Sequence, residues 1–77
     1  MKPMTSQEIR QSLLAKDAEF RRLAEEHSRC ESRLEEIVKS AYVSAEDLIQ
    51  EAMLKKTKLR LKDQMEMIVA RHLQMAH

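Results

Sequence analysis

Residues 40–48 read Ser40-Ala41-Tyr42-Val43-Ser44-Ala45-Glu46-Asp47-Leu48. This stretch separates two long helix-forming segments, so its reading decides how the chain folds. Ser44 is a preferred N-cap residue, and Asp47 stands three positions on, where its carboxylate can reach back to the cap. Val43 before the cap and Leu48 at the fourth helical position have the spacing of a hydrophobic staple. The start signals coincide at one place and predict a helix over about residues 45–74. Upstream, helical periodicity fades through Ser40–Val43, which leaves a turn over about residues 40–44. Two helices of similar length joined by so short a connection favour an antiparallel hairpin.

Working outward toward the N-terminus, Thr5 and Glu8 have capping-box spacing and predict a helix start near Ser6. Ile9, Leu13, Phe20, Leu23, Cys30, Leu34 and Ile37 then fall on one heptad face, with Lys16 and His27 filling its gaps. One helix over about residues 6–39 is expected. On the C-terminal side, Leu54, Leu61, Met65, Ile68, His72 and Met75 form a stripe. Leu48, Ala52 and Leu59 lie roughly 150° away from it, at about 100° per residue. A turn centred near Tyr42 sets Phe20 beside Met65, Leu23 beside Leu61, Cys30 beside Leu54, and Leu34 beside Ile49 and Met53. The same register places Glu25, Glu26 and Glu31 opposite the basic run Lys55, Lys56, Lys58, Arg60 and Lys62.

Composition agrees with helix throughout. The 77 residues include no glycine, one proline, one phenylalanine and one tyrosine, and strong helix formers dominate. Missing glycine removes the usual means of building tight β-hairpins and phosphate-cradling loops. Charged residues make up 35 %, but 14 basic against 13 acidic residues give a net charge of only +1. A generic nucleic-acid binder carries a far more basic footprint. One cysteine, Cys30, allows no internal disulfide and fits a reducing compartment. The N-terminal residues hold no apolar stretch long enough for a signal peptide, and Met67-Ile68-Val69-Ala70 is far too short to span a bilayer. A cytoplasmic protein with no membrane segment is expected.

Two apolar stripes on the second helix need two partners, and an intramolecular neighbour covers only one. Small scaffolds of this size usually need a staple, and neither a disulfide nor an obvious metal site is available. The expected architecture is therefore all-α, a coiled-coil-like antiparallel two-helix hairpin forming a single domain over residues 1–77. It is expected to assemble as a homodimer into a four-helix bundle. The alternative is a solitary hairpin whose second stripe awaits another protein.

Two segments carry a family resemblance. One is Leu13-Leu14, Asp17, Phe20, Leu23 and His27, with Cys30 and Leu34 following. The other is Leu54-Lys55-Lys56-Thr57-Lys58-Leu59-Arg60-Leu61-Lys62-Asp63-Gln64-Met65. Together they resemble the YdcH-like family of small bacterial proteins, whose pattern is L..D..F..L...H followed by LKK.KL.LKDEI. The resemblance implies a two-helix hairpin, a cytoplasmic location and an unknown biochemical role. Cys30 stands where the family usually has a larger aliphatic residue, and Gln64-Met65 replaces its common Glu-Ile. Both departures keep a core-compatible side chain at the buried position. The family supplies no catalytic residue to carry over.

Candidate chemistry is sparse. His27 and Cys30 share a helical face, but two ligands fall short of the four a structural zinc site needs, so no metal is expected. His27 reads better as a polar heptad position that sets register. Asp17, Asp63 and the glutamates scatter over solvated faces, and a hairpin offers no enclosed pocket for catalysis. No enzyme activity and no cofactor are expected. The residues expected to carry function are those of packing and interaction: Phe20, Leu23, His27, Leu34, Leu48, Leu54, Leu59, Leu61, Met65 and Ile68. The expected function is a helical interaction or structural module that self-associates and docks a protein partner. The alternative is a regulator or adaptor that contacts nucleic acid through Lys55, Lys56, Lys58, Arg60 and Lys62. That run has no interleaved aromatic residues for base stacking, which makes nucleic acid the weaker expectation.

Overall fold

A computed structural model describes residues 4–75, all of it helix apart from caps and short connections. Its helices are α1 (Ser6–Lys16), α2 (Ala18–Lys39) and α3 (Ala45–Met75). Each start has a local cause. Thr5 caps α1 through a reciprocal box: the Glu8 amide donates to Thr5 Oγ1 at 3.2 Å, and the Thr5 amide donates to the Glu8 carboxylate at 3.5 Å. Ser44 and Asp47 make the same exchange at the start of α3, at 3.1 Å in both directions. Val43 and Leu48 both remain exposed, so the staple contributes little burial there.

The single helix expected over residues 6–39 is two helices. The chain leaves helical geometry at Asp17 (φ −108°, ψ 110°), which ends α1 and caps α2. The Asp17 carboxylate accepts from the Phe20 amide at 3.0 Å, and the Asp17 amide donates to the Leu13 carbonyl at 2.8 Å. Arg21 reaches back from α2 to seal the other side of the break. Its guanidinium donates to the Leu14 carbonyl at 3.0 Å and the Ala15 carbonyl at 3.1 Å, acceptors that a helix end leaves without intrahelical partners. The positive charge also sits favourably at the C-terminal end of the α1 dipole. The physical reason for the break lies one residue earlier. An unbroken heptad would press Lys16 into the seam, where a charge without a partner is costly to bury. With the break, Lys16 is exposed and Asp17 is half-buried. Asp17 is thus a structural cap rather than one more solvated carboxylate.

Contacts along α2 and α3 run in opposite order. Arg33 donates to Gln50 at 2.8 Å, Lys58 lies 4.0 Å from Glu31, and Leu23 shares a cluster with Leu61. Cys30 completes that buried cluster, with Leu54, Met65 and Ile68 packed against it. A second cluster joins Ile9 and Leu13 of α1 to Phe20 of α2 and Val69 of α3. Here the expected stripe on α3 needs correction, because His72 and Met75 are exposed while Val69 is buried and Leu73 packs inward. Past Met65, α3 faces α1 as well as α2, and α1 stands at a different angle around it. Val69 follows Ile68 by one residue, about 100° round the helix, and meets the new neighbour. The molecule is a rod of 54 × 20 × 16 Å.

Candidate functional site

The expected interaction residues divide between an interior and an outer face. Phe20, Leu23 and Leu61 are buried; Leu34, Leu54, Met65, Ile68 and His27 are half-buried along the seam. No partner can reach the first three without unpacking the fold. Leu48 and Leu59 are 59 % and 60 % exposed on the outer side of α3. They follow one helical line with the exposed Ala52 and Lys55, at steps of four, three and four. Two rows on one long helix thus serve two purposes, one closing the fold and one left open.

The exposed apolar surface has a definite place. Between Ile37 and Leu61 no residue is buried, although Val38, Tyr42, Val43, Leu48, Ile49, Met53 and Leu59 all lie there. Leu34 is only half-covered, and its expected neighbours Ile49 and Met53 are both exposed. The end of the rod around the turn is therefore less well packed than the end where α1 adds a third helix. Sequence periodicity did not single out Val38, which falls off the regular stripes, whereas Ile49 and Met53, set beside Leu34 by the expected register, are left open instead. The sequence signal for this open end is density, with large apolar residues crowded between 38 and 53.

The basic run does not act as a single patch. Lys55 pairs with Glu51 on its own helix at 3.0 Å, and Lys58 meets Glu31 of α2 at 4.0 Å. Glu31 also lies 3.0 Å from Nδ1 of His27, so one carboxylate serves both basic side chains. Of the acidic residues expected opposite the run, Glu26 instead pairs with Arg22 at 3.5 Å. Lys56, Arg60 and Lys62 are exposed and make no ion pair among the described residues. The five cations spread over about 200° of the helix surface, at about 100° per residue.

Other polar groups are occupied structurally. An open groove beside the α1–α2 break is lined by Met4, Leu13, Asp17, Glu19, His72 and Met75, among others. Its Asp17 carboxylate caps α2, and Nδ1 of His72 lies 3.0 Å from the Ile68 carbonyl. Cys30 is a buried free thiol that packs as a small hydrophobe. Among the described residues no three His, Cys, Asp or Glu side chains are grouped to hold a metal ion. No described helix is long and apolar enough to cross a membrane.

Residues 20–69, from the core phenylalanine through the buried valine of α3, match the model of a family described as a protein of unknown function, DUF465. No curated protein and no solved structure was found to match the chain. The match takes in α2 from Phe20, the turn and most of α3, well over half the sequence, and leaves α1 outside. The chain belongs to DUF465, the family of small proteins of unknown function that includes the YdcH-like proteins.

Proposed function

We propose that this protein is a non-enzymatic helical hairpin of α2 and α3 that works by self-association, pairing two hairpins into a four-helix bundle. The observation that supports this reading is the outer row of α3, where Leu48 and Leu59 keep more than half of their surface in water. Both rows of α3 carry large apolar side chains, and α1 and α2 cover only one of them.

Magnitudes set what kind of assembly this can be. Four leucines, two from each copy, would contribute on the order of 4–7 kcal/mol on covering what remains exposed. Association itself costs about 4–15 kcal/mol. Apolar cover alone gives a weak dimer whose population follows concentration, so contacts at the rim must supply the remainder. Sedimentation equilibrium over a range of concentrations tests the reading. The wild-type mass rises toward two copies, and Leu59→Glu holds it at one with helicity unchanged. A wild-type mass of one copy at every concentration would overturn it.

The second reading is an adaptor that contacts nucleic acid, favoured by Lys56, Arg60 and Lys62, which are exposed and make no ion pair among the described residues. It requires charge reversal at these positions to abolish retention on a nucleic-acid column while leaving the mass untouched.

A further inference from the structure

We infer that the two copies pair through α3 in antiparallel register about a two-fold axis level with Met53 and Leu54, an inference that rests on the self-association proposed above. The argument begins with the outer row itself. Leu48, Ala52, Lys55 and Leu59 are spaced as alternating core positions of a heptad. Run antiparallel against itself about that axis, the row sets Leu48 on Leu59 of the partner copy and Ala52 on Lys55 of the partner copy. Each copy supplies both halves, so every contact occurs twice, as an isologous interface requires.

The polar member of the row fits this arrangement. Lys55 meets the smallest side chain of the row, Ala52, which leaves room for its aliphatic stem. Its ammonium already turns aside to Glu51 at 3.0 Å, toward the edge of the face. A lysine stem can cover apolar surface in this way while its charge stays in water. A parallel pairing would stack Lys55 on Lys55 and Lys62 on Lys62 along the interface, with like charges facing at both levels.

The flanks are compatible with the antiparallel register, although the choice against a parallel one rests on Lys55 and Lys62. On one edge, the antiparallel register places Glu51 beside Lys58 of the partner copy, and Lys58 beside its Glu51. On the other edge, Ile49 lies along the stem of Lys56 of the partner copy and gains apolar cover. Glu51 and Lys58 are half-buried residues at the border between the seam and the outer face. Within one chain Lys58 has only a 4.0 Å approach to Glu31, so its ammonium has further bonding capacity to offer a partner.

The test uses two variants of the full chain, Glu51→Lys and Lys58→Glu. Alone, each puts like charges face to face at both 51–58 contacts of its homodimer, and dissociation constants rise about tenfold. Mixed in equal amounts, they form a heterodimer with both 51–58 contacts opposite in charge, and the mass returns toward two copies. Circular dichroism of each variant confirms that helicity is retained. A wild-type dimer whose single variants dimerise normally, or whose mixture recovers nothing, overturns the antiparallel register and leaves self-association intact. A parallel dimer gives no gain on mixing, because its edges join Glu51 to Lys56 and Lys58 to Asp63. A wild-type chain that stays at one copy overturns self-association and the register with it.

Discussion

Replacing Asp17 by alanine tests the most consequential local feature of the fold. The Asp17 carboxylate holds the Phe20 amide at 3.0 Å, at the start of α2. Losing an N-cap of this kind costs about 1 kcal/mol, within a range of roughly 0.5–2. Removing a negative charge from the positive end of the α2 dipole adds about 0.3–1 kcal/mol. Alanine also favours joining α1 to α2, but a joined helix would swing the exposed Lys16 toward the seam, so the gain in propensity is offset. The net loss is about 1.5–2 kcal/mol. For a domain of this size that lowers Tm by about 6–16 °C, at about 4–8 °C per kcal/mol. Thermal unfolding followed by circular dichroism at 222 nm reads the shift, with all samples at one protein concentration because dimerisation would move Tm by mass action. Asp17→Asn is the control, since asparagine caps about as well as aspartate and should recover most of the loss. An alanine variant as stable as wild type would refute the capping argument. So would an asparagine variant as damaged as the alanine one.

Two further predictions follow from the packing. Phe20 is 1 % exposed at the meeting of all three helices, so Phe20→Ala should cost about 3–5 kcal/mol in urea unfolding. Val38, 73 % exposed, should lose no more than about 0.5 kcal/mol on the same change, and equal losses at the two positions would contradict the assigned core. Arg21→Met keeps most of the side-chain stem but removes the donors to the Leu14 and Ala15 carbonyls. Hydrogen exchange should then quicken in α1 while α2 and α3 keep their protection; a uniform loss of protection across all three helices would show that the bridge does more than close α1.

What could be read from the sequence was local. Thr5–Glu8 and Ser44–Asp47 are exchanges over three residues, and a helix start needs nothing further away to be recognised. The seam was legible for a related reason: a heptad row of apolar residues on each segment marks the face that must leave water, whichever element covers it. Phe20, Leu23, Cys30 and Leu61 lie where those rows put them. Asp17 carried a local signal too, being a good cap residue with Glu19 in the next turn. It was outweighed by a heptad that ran on through Lys16, and periodicity by itself does not register the cost of burying that lysine.

The three-helix end and the open end near the turn depended on position in space. Val69 replaces His72 in the core because it packs against Ile9 and Leu13 of α1 as well as Phe20 of α2, and no period within α3 encodes where another helix will stand. Ile49, Met53 and Val38 stay in water near the turn, where no described residue between Ile37 and Leu61 is buried, a fact about neighbours rather than about their own spacing. The amino-acid sequence alone therefore determined that this protein is helical, where α1 and α3 start, and which face of each long segment is greasy, since these follow from hydrogen bonds and side-chain spacing within a few turns. Only the tertiary structure decided that the first segment breaks at Asp17, which residues form the last core layer and which apolar residues near the turn stay exposed, because each depends on how distant segments pack together.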